Sequence, residues 1–221
     1  MIQVHVFPTQ PAQQVDFAAQ CLCEADQRQL STLHSESRRN LFLYSRKKLY
    51  GVLSHTTGMP ASTLSIGLGP HGKPLVENAP GFLDFSISHS KAFLAIAVSK
   101  NRRVGIDIED TATRGPAPTL ESVCSESELK QLALLPKVNF LEIWTKKEAF
   151  LKLNGVGLAV DPKAVEAKPD GFVSCPGGHT LVHRRARLAL FTSNPFYVMS
   201  VAYPALRGDR PRIELNEEHC L

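Results

Sequence analysis

The stretch "VGIDIED", residues 104–110, places three carboxylates in a run that otherwise has the pattern of a buried β-strand. Its aliphatic residues alternate and are expected to face a core. Asp107 and Glu109 share the opposite face, because residues two apart in a strand point the same way. Two like charges ~5–6 Å apart repel by roughly 3 kcal/mol at an effective dielectric of about 20. Either water solvates that face or a cation lies between the acids, and two carboxylates with waters suit Mg²⁺.

The sequence before this stretch predicts strands and two helices. "IQVHVF" (2–7) alternates as a strand does, and helical patterns cover residues 15–33 and 35–58. "LDFSISHS" (83–90) and "FLAIAVS" (93–99) are two further predicted strands. Basic side chains flank the second helix at Arg38, Arg39, Arg46, Lys47 and Lys48.

The sequence after this stretch begins with a Pro- and Gly-rich segment, "TATRGPAPT" (111–119), which is typical of a linker. Ser125 and Glu128 have the spacing of a capping box and predict the start of a helix. "NFLEIWTKKEAFLKLNG" (139–155) is the strongest helical pattern and ends at a glycine. Three further strands are predicted within 171–175, 179–193 and 196–204.

The order of these elements predicts an α+β fold made of two similar halves. A weak internal repeat supports two halves, since the Ser, Phe and Val spacing of residues 90–98 recurs in residues 193–201. The predicted division is an N-terminal half (1–110), a linker (111–119), a C-terminal half (120–207) and a polar tail (208–221). A ligand is expected between the halves, because domain interfaces favour pockets.

The helix of residues 139–155 carries an acid on its apolar side. Trp144, Glu148 and Lys152 lie above one another at intervals of four residues. A buried acid is rarely left unpaired, so Lys152 is the simple partner of Glu148. Alternatively, Glu148 is a third oxygen donor to a cation, or a base beside it, with Lys147 and Lys152 reaching for a phosphate. His89 ends the strand of residues 83–90, where a lone histidine is more often structural than functional.

The composition is that of a globular protein. The chain has 221 residues, 43% hydrophobic and 21% charged, with a net charge of +4 that is compatible with an anionic ligand or an acidic partner. The five cysteines form no CxxC pair, which favours a reducing cytosol over a disulfide framework or a zinc site. The N-terminus lacks the pattern of a secretory signal, and no apolar run reaches the ~18–20 residues of a membrane span.

Taken together, the motifs resemble those of the Sfp-type 4′-phosphopantetheinyl transferases. The chain has "GKP" (72–74), "FSISHS" (85–90), "VGIDIE" (104–109) and "WTKKEAFLK" (144–152), in the order and at the spacing of that family. "CSESELKQL" (124–132) and "GVGL" (155–158) extend the similarity, which covers residues from about 70 to 160. Each motif is weak by itself, and the set is specific.

The resemblance implies a reaction, a fold and a set of site residues. A serine of an apo acyl or peptidyl carrier protein attacks coenzyme A, receives its 4′-phosphopantetheine group and releases 3′,5′-ADP. The implied fold is a pseudo-twofold α+β monomer, and the implied cofactor is Mg²⁺, or Mn²⁺ in its place. The implied metal ligands are Asp107, Glu109 and Glu148, and the implied catalytic residues are Glu148, Lys152 and Asp107. The residues implied in binding coenzyme A are Arg39, Arg46, Lys73, Ser88, His89, Lys147 and Lys152.

The expected partners are a carrier protein and coenzyme A, without nucleic acid or membrane, in the cytoplasm. Residues 45–48 ("SRKK") and 183–187 ("HRRAR") are candidate docking patches for an acidic carrier helix, or are simply solvated charge runs. Two other functions stay open. A Mg²⁺-dependent nuclease or phosphodiesterase also uses paired acids, although Thr111 stands where such enzymes often have a lysine. A non-catalytic module that binds coenzyme A or a carrier is the second.

Overall fold

Two sheets, one mixed and one antiparallel, and two long helices form the body of the protein in its computed structural model. The structure describes residues 1–9, 17, 22–112, 119–133, 139–168, 170–176, 181–206, 208 and 210–218. The elements before the acidic stretch are β1 (Ile2–Pro8), α1 (Glu24–Ser31), α2 (Glu36–Thr57), β2 (Ile66–Leu68), β3 (Pro74–Val76), β4 (Asp84–His89) and β5 (Phe93–Ser99). Those that follow are β6 (Gly105–Asp110), α3 (Leu120–Val123), α4 (Glu126–Ala133), α5 (Phe140–Asn154), β7 (Glu166–Ala167), β8 (Phe172–Ser174), β9 (Arg185–Phe191), β10 (Tyr197–Pro204) and β11 (Ile213–Glu217).

The first sheet has the strand order β11-β1-β5-β4, and the second has the order β6-β10-β9-β8-β7. Strands β2 and β3 form a separate hairpin. All pairs are antiparallel except β1 with β11. The predicted α+β class is therefore confirmed, whereas the pseudo-twofold relation of two halves stays a prediction.

The sheets exchange strands across the predicted linker. Strand β6 lies before residue 111 but pairs with β10 of the second sheet. Strand β11 lies in the segment expected to be a tail, yet it pairs in parallel with β1. A polar edge strand of five residues gives a weak sequence signal, because its side chains are largely solvated and its backbone bonds supply the attachment. Residues 113–118 of the predicted linker lie outside the described residues.

Helices α2 and α5 begin and end where the sequence indicates. Glycines in the left-handed region follow α2 and α5, with φ of +75° at Gly58 and +71° at Gly155. Ser125 and Glu128 form the predicted capping box of α4, because each backbone N–H donates to the other side chain. The helix predicted at 15–33 is shorter in the structure, where α1 covers Glu24–Ser31 and the described residues 17, 22 and 23 are not helical. Among the described residues, no helix combines the length and the apolar character needed to cross a bilayer.

The core has four layers, α2, first sheet, second sheet and α5. Strand β5 faces both ways, with Leu94 and Ile96 packed in the cluster of α2 and with Ala95 and Ala97 in the cluster of β6 and β10. Helix α5 packs with the far side of the second sheet in a third cluster. Because the core lies on both sides of each sheet, the polar side chains that remain in these layers need a specific explanation.

Candidate active site

Strands β4 and β6 belong to different sheets and are joined by serines. The hydroxyl of Ser86 accepts from the backbone N–H of Ile106 (3.1 Å), and Ser90 donates to Asp110 Oδ1 (2.6 Å). Ser88, between them, donates to Asp107 Oδ1 (2.7 Å). The alternating serines of "FSISHS" thus place His89 and Ser88 beside the acidic strand, although β4 and β6 share no sheet.

Helix α5 crosses β6 at Gly105. A Cβ at this position would overlap the carbonyl oxygen of Ala149 and lie 2.9 Å from the Cα of Leu153. Only glycine permits this approach of helix to strand, since a methyl group there would collide with the helix backbone. The crossing brings Glu148 and Lys152 of the helix alongside the acids of the strand.

Asp107 and Lys152 form the centre of the site. Lys152 Nζ lies 2.7 Å from Asp107 Oδ1 and donates to the Ser88 hydroxyl at 2.8 Å. Asp107 is only 4% exposed, so the ammonium group offsets a buried negative charge. In the described part of the chain, the other oxygen of Asp107, Oδ2, is buried without a hydrogen-bond partner.

Two further carboxylates lie near Asp107. The Trp144 indole N–H donates to Glu109 Oε1 at 3.1 Å, and Glu148 Oε1 is buried without a hydrogen-bond partner among the described residues. Burial raises the pKa of both glutamates above the ordinary value, and the negative charge of Asp107 raises each pKa further. The three acids therefore interact electrostatically, and each of the glutamates is stabilised by a proton or by an added cation.

A cleft of about 730 Å³ opens over these groups. Helix α2 contributes one wall, and β4, β6 and α5 contribute the other. Polar lining residues are Gln29, Arg38, Ser45, Arg46, Ser88, His89, Asp107, Glu109, Trp144, Glu148 and Lys152. A smaller cavity of about 230 Å³ reaches Lys152 from the side of Lys73 and Gly155. The cleft can accept a polyanionic ligand of considerable size.

The oxygens of this site are of the type that Mg²⁺ prefers. The unpartnered buried oxygens of Asp107 and Glu148, and the raised pKa of Glu109, fit a divalent cation that would offset the combined charge. No group of three or more His, Cys, Asp or Glu side chains within the described ranges is placed to hold a metal ion. In this arrangement Lys152 supplies the positive charge next to Asp107.

The cleft brings together seven of the predicted site residues. Those that line it are Arg46, Ser88, His89, Asp107, Glu109, Glu148 and Lys152. The Ser88 hydroxyl bonds to Asp107 and Lys152, so it orders these side chains. Arg46 lies 2.8 Å from Asp26, and its guanidinium packs over the Phe42 ring. Part of the charge of Arg46 is thereby neutralised.

Lys147, predicted to aid binding of coenzyme A, lies on the other side of α5. It is fully buried, and Nζ donates to Glu128 Oε2 (2.6 Å), Val123 O (2.8 Å) and Pro162 O (3.0 Å). The structure contradicts the predicted ligand role of Lys147, because its three donor hydrogens are used within the core. One residue along a helix is a rotation of about 100°, which separates Lys147 from its neighbour Glu148.

Lys73 and Arg39 also have partners within the fold. Lys73 pairs with Asp84 (2.7 Å) and donates to Val104 O (2.8 Å), and burial lowers its pKa. It lines the smaller cavity and not the main cleft. Arg39 donates to the carbonyl oxygens of Leu30 (3.0 Å) and Leu33 (3.4 Å). Both side chains stabilise neighbouring segments of the chain.

Two cleft residues were missed by the sequence analysis, namely Arg38 and Trp144. Arg38 is exposed at the cleft wall and lies one turn before Phe42 on the apolar stripe of α2. This spacing to Phe42 is a signal for Arg38 only once the start of the helix is known. Trp144 lies one turn before Glu148, and its indole N–H was a signal for a polar partner.

Comparison with protein families matches residues 103–177 to the 4′-phosphopantetheinyl transferase superfamily. A 4′-phosphopantetheinyl transferase of Bacillus subtilis is 34% identical over 133 residues, which are 55% of this chain and 57% of the relative. The 4′-phosphopantetheinyl transferase HetI of Nostoc sp. is 29% identical over 160 residues, 68% of this chain and 66% of the relative. The 4′-phosphopantetheinyl transferase Sfp of Bacillus subtilis strain 168 is 27% identical over 176 residues, 75% of each chain.

The chain thus spans 57% and 66% of the first two of these relatives. The segment matched by the family contains both the acidic strand β6 and the helix α5, whose side chains meet in the cleft. The resemblance seen in the sequence motifs is therefore confirmed, since residues 103–177 match the 4′-phosphopantetheinyl transferase superfamily and the relatives similar to this chain bear transferase names.

Proposed function

We propose that the protein transfers the 4′-phosphopantetheine group of coenzyme A to a serine of an apo carrier protein and releases 3′,5′-ADP. The observation that carries the proposal is the meeting of Asp107, Glu148 and Lys152 at the base of a cleft large enough for a polyanion. The quoted relatives bear transferase names, and none of them is named as a nuclease. The nuclease alternative gains no support from these relatives.

The carrier serine attacks the phosphorus that bears the pantetheine arm, and the bond from that phosphorus to the bridging oxygen breaks. Glu148 takes the proton of the serine hydroxyl, because its raised pKa lies closer to neutrality than that of an ordinary glutamate. Lys152 leaves the Asp107 oxygen or shares its hydrogens with the departing phosphate, whose negative charge grows as the bond breaks. His89 is exposed at the cleft wall. In the proposed complex it binds the phosphates of coenzyme A.

We further propose that Asp107, Glu109 and Glu148 bind Mg²⁺, or Mn²⁺ in its place, after their side chains move together, because no three acids of the described residues are yet placed to hold a metal ion. Such a cation supplies positive charge for the pyrophosphate oxygens. The support is the pair of unpartnered buried oxygens and the electrostatic interaction among the three acids. When coenzyme A binds, its phosphates provide further oxygens of the type that Mg²⁺ shares with substrates.

The direct test is intact-mass analysis of apo carrier proteins incubated with the protein, coenzyme A and Mg²⁺. A panel of fatty-acid, polyketide and nonribosomal-peptide carriers is expected to include at least one that gains a single phosphopantetheine arm. The gain is expected to disappear when the carrier serine is replaced by alanine. A panel that stays unmodified, with the protein folded and coenzyme A bound, would contradict the proposal.

Lys152→Met is expected to lower turnover by about 10²–10³-fold, because a group that stabilises developing charge is removed. The KM for coenzyme A is expected to change little, since the charge of the leaving phosphate is greatest in the transition state. Steady-state kinetics over a range of coenzyme A concentrations separate the two effects. Lys168→Met, at an exposed position, is the control. A defect confined to KM would assign Lys152 to ground-state binding.

Arg38→Ala is expected to raise the Kd for coenzyme A about 10-fold or more, because the exposed guanidinium lies at the cleft and offers charged hydrogen bonds to a phosphate. Arg39→Ala is the matched control, and it is expected to leave the Kd unchanged while lowering stability, since Arg39 is bonded to carbonyl oxygens. Isothermal titration with coenzyme A measures both. Equal effects of the two variants would restore the original assignment of Arg39.

We also propose a cytoplasmic monomer that docks an acidic carrier helix on residues 183–187. Arg184 and Arg185 are exposed there, and the Phe172 ring supports the guanidinium groups of Arg185 (3.8 Å) and Arg187 (4.4 Å). In the other candidate patch, residues 45–48, Lys48 pairs with Glu218 at 2.6 Å and Arg46 pairs with Asp26. The patch at 183–187 therefore offers more free charge to an acidic partner.

A further inference from the structure

The indole of Trp144 links the helix and the strand of the cleft through a single side-chain contact. Its N–H donates to Glu109 Oε1 at 3.1 Å, from α5 to β6. Trp144 and Glu109 both line the cleft, so the hydrogen bond lies at the cleft wall. An indole N–H can only donate, and its acceptor is therefore determined by where the ring is placed.

The ring of Trp144 is fixed by its neighbours on α5. The Phe140 ring, one turn earlier, stacks on it with a centroid distance of 6.4 Å and an interplanar angle of 15°. The following residue, Thr145, is fully buried and bonds to Ser200 of β10 at 2.9 Å. The helix backbone next to Trp144 is thus attached to the second sheet, and the indole has little freedom to turn from Glu109.

Two of the acids of β6, Asp107 and Glu109, accept hydrogen bonds from different side chains. Asp107 Oδ1 accepts hydrogen bonds from Ser88 and Lys152, whereas Glu109 Oε1 accepts one from the indole N–H of Trp144. In both carboxylates one oxygen is engaged by the protein. A carboxylate fixed in this way binds a cation without first losing the freedom of its side chain, which is the usual effect of an outer hydrogen bond on a ligand.

We propose that Trp144 is a positioning residue that orients the Glu109 carboxylate toward a divalent cation in the cleft. This inference rests on the proposed function, in which Glu109 is one of the oxygen donors. The contribution comes from the indole N–H and not from the size of the ring. Without the hydrogen bond, Glu109 repels Asp107 and is free to rotate away from the cation.

The chain contains one tryptophan, so global replacement of tryptophan by benzothienylalanine changes residue 144 alone. This amino acid has the shape of tryptophan with sulfur in place of the N–H group. Mn²⁺ alone is titrated into the metal-free protein, and binding is measured by calorimetry. The Kd for Mn²⁺ is expected to be at least about 10-fold higher in the substituted protein. This is the usual effect of losing a hydrogen bond that orients a metal ligand.

Trp144→Phe serves as the second variant and is expected to show the same loss, and Phe140→Leu is the matched control that keeps the N–H group. Equal Mn²⁺ affinity of the unmodified and benzothienylalanine proteins would overturn the inference. A loss in Phe140→Leu as large as in Trp144→Phe would also overturn it, since ring packing would then explain the effect. Carrier modification is followed separately by mass, so absence of Mn²⁺ binding in an otherwise active unmodified protein would refute this inference while leaving transferase activity standing.

Discussion

Glu148→Gln is expected to abolish phosphopantetheine transfer while leaving the folded protein as stable as the unmodified protein, or more stable. Loss of a general base typically lowers the rate by about 10²–10⁴-fold. The stability of the folded protein is not expected to fall with its activity. Glu148 Oε1 is buried without a partner among the described residues, and the neighbouring acids repel the negative charge of Glu148. Intact-mass assays measure transfer, and thermal unfolding of the metal-free protein measures stability.

The control for this variant is Glu142→Gln on the same helix, at a half-buried position away from the lining of the cleft. It is expected to retain transfer. A Glu148→Gln protein that unfolds at a clearly lower temperature would assign Glu148 a structural role. Retained transfer would remove Glu148 from the mechanism.

The same residue predicts how stability depends on pH. The pKa of Glu148 in the folded protein lies above its ordinary value of 4.5, chiefly because of burial, and the pKa of Glu109 is raised in the same direction. Between the ordinary and the raised pKa, the folded protein binds more protons than the unfolded chain, so the free energy of unfolding falls as pH rises. Glu148→Gln is expected to flatten this fall. Urea unfolding without metal, at pH values on both sides of 4.5, measures it.

Lys147→Met is expected to destabilise the protein by about 3–5 kcal/mol, the usual cost of removing one partner of a buried ion pair. Glu128 would remain buried, with the backbone N–H groups of Ser125 and Ala167 as its donors. Chemical unfolding measures the loss of free energy. The double variant Lys147→Met with Glu128→Gln is expected to recover much of the loss, because no unpaired charge is left behind.

The matched control is Lys146→Met, which removes a half-buried lysine at the preceding position. Its expected cost is much smaller, and neither variant is expected to change the Kd for coenzyme A of the folded protein. A Lys147→Met protein with unchanged stability and weakened binding of coenzyme A would return Lys147 to the ligand site.

The local elements were predictable because their signals lie within short segments. Residues 104–109 and 139–155 were assigned to a strand and a helix, and the structure has Gly105–Asp110 and Phe140–Asn154. Hydrophobic periodicity and a terminal glycine are enough for such assignments. The acids and the lysine of the cleft were identified for the same reason, since side-chain direction follows from the period of each element.

The pairing of strands and the role of individual basic residues were not predictable in this way. That β6 pairs with β10 and β1 with β11 depends on contacts between distant parts of the chain. The choice between Arg38 and Arg39 depends on about 100° of rotation, which a sequence pattern does not resolve at a helix start. Lys147 was misassigned because its partner, Glu128, lies on another helix.

The absent side chain at position 105 makes the proposed catalysis depend on a residue outside the lining of the cleft. A methyl group at this position would collide with the backbone of α5 and move the helix away from β6. A displacement of catalytic groups by about 1 Å can slow a reaction about 10²-fold. Inactivating changes in such a protein can therefore arise where no ligand ever binds. Mutagenesis restricted to the residues that line the cleft would overlook such changes. In those variants the distance between the backbones of α5 and β6 is altered.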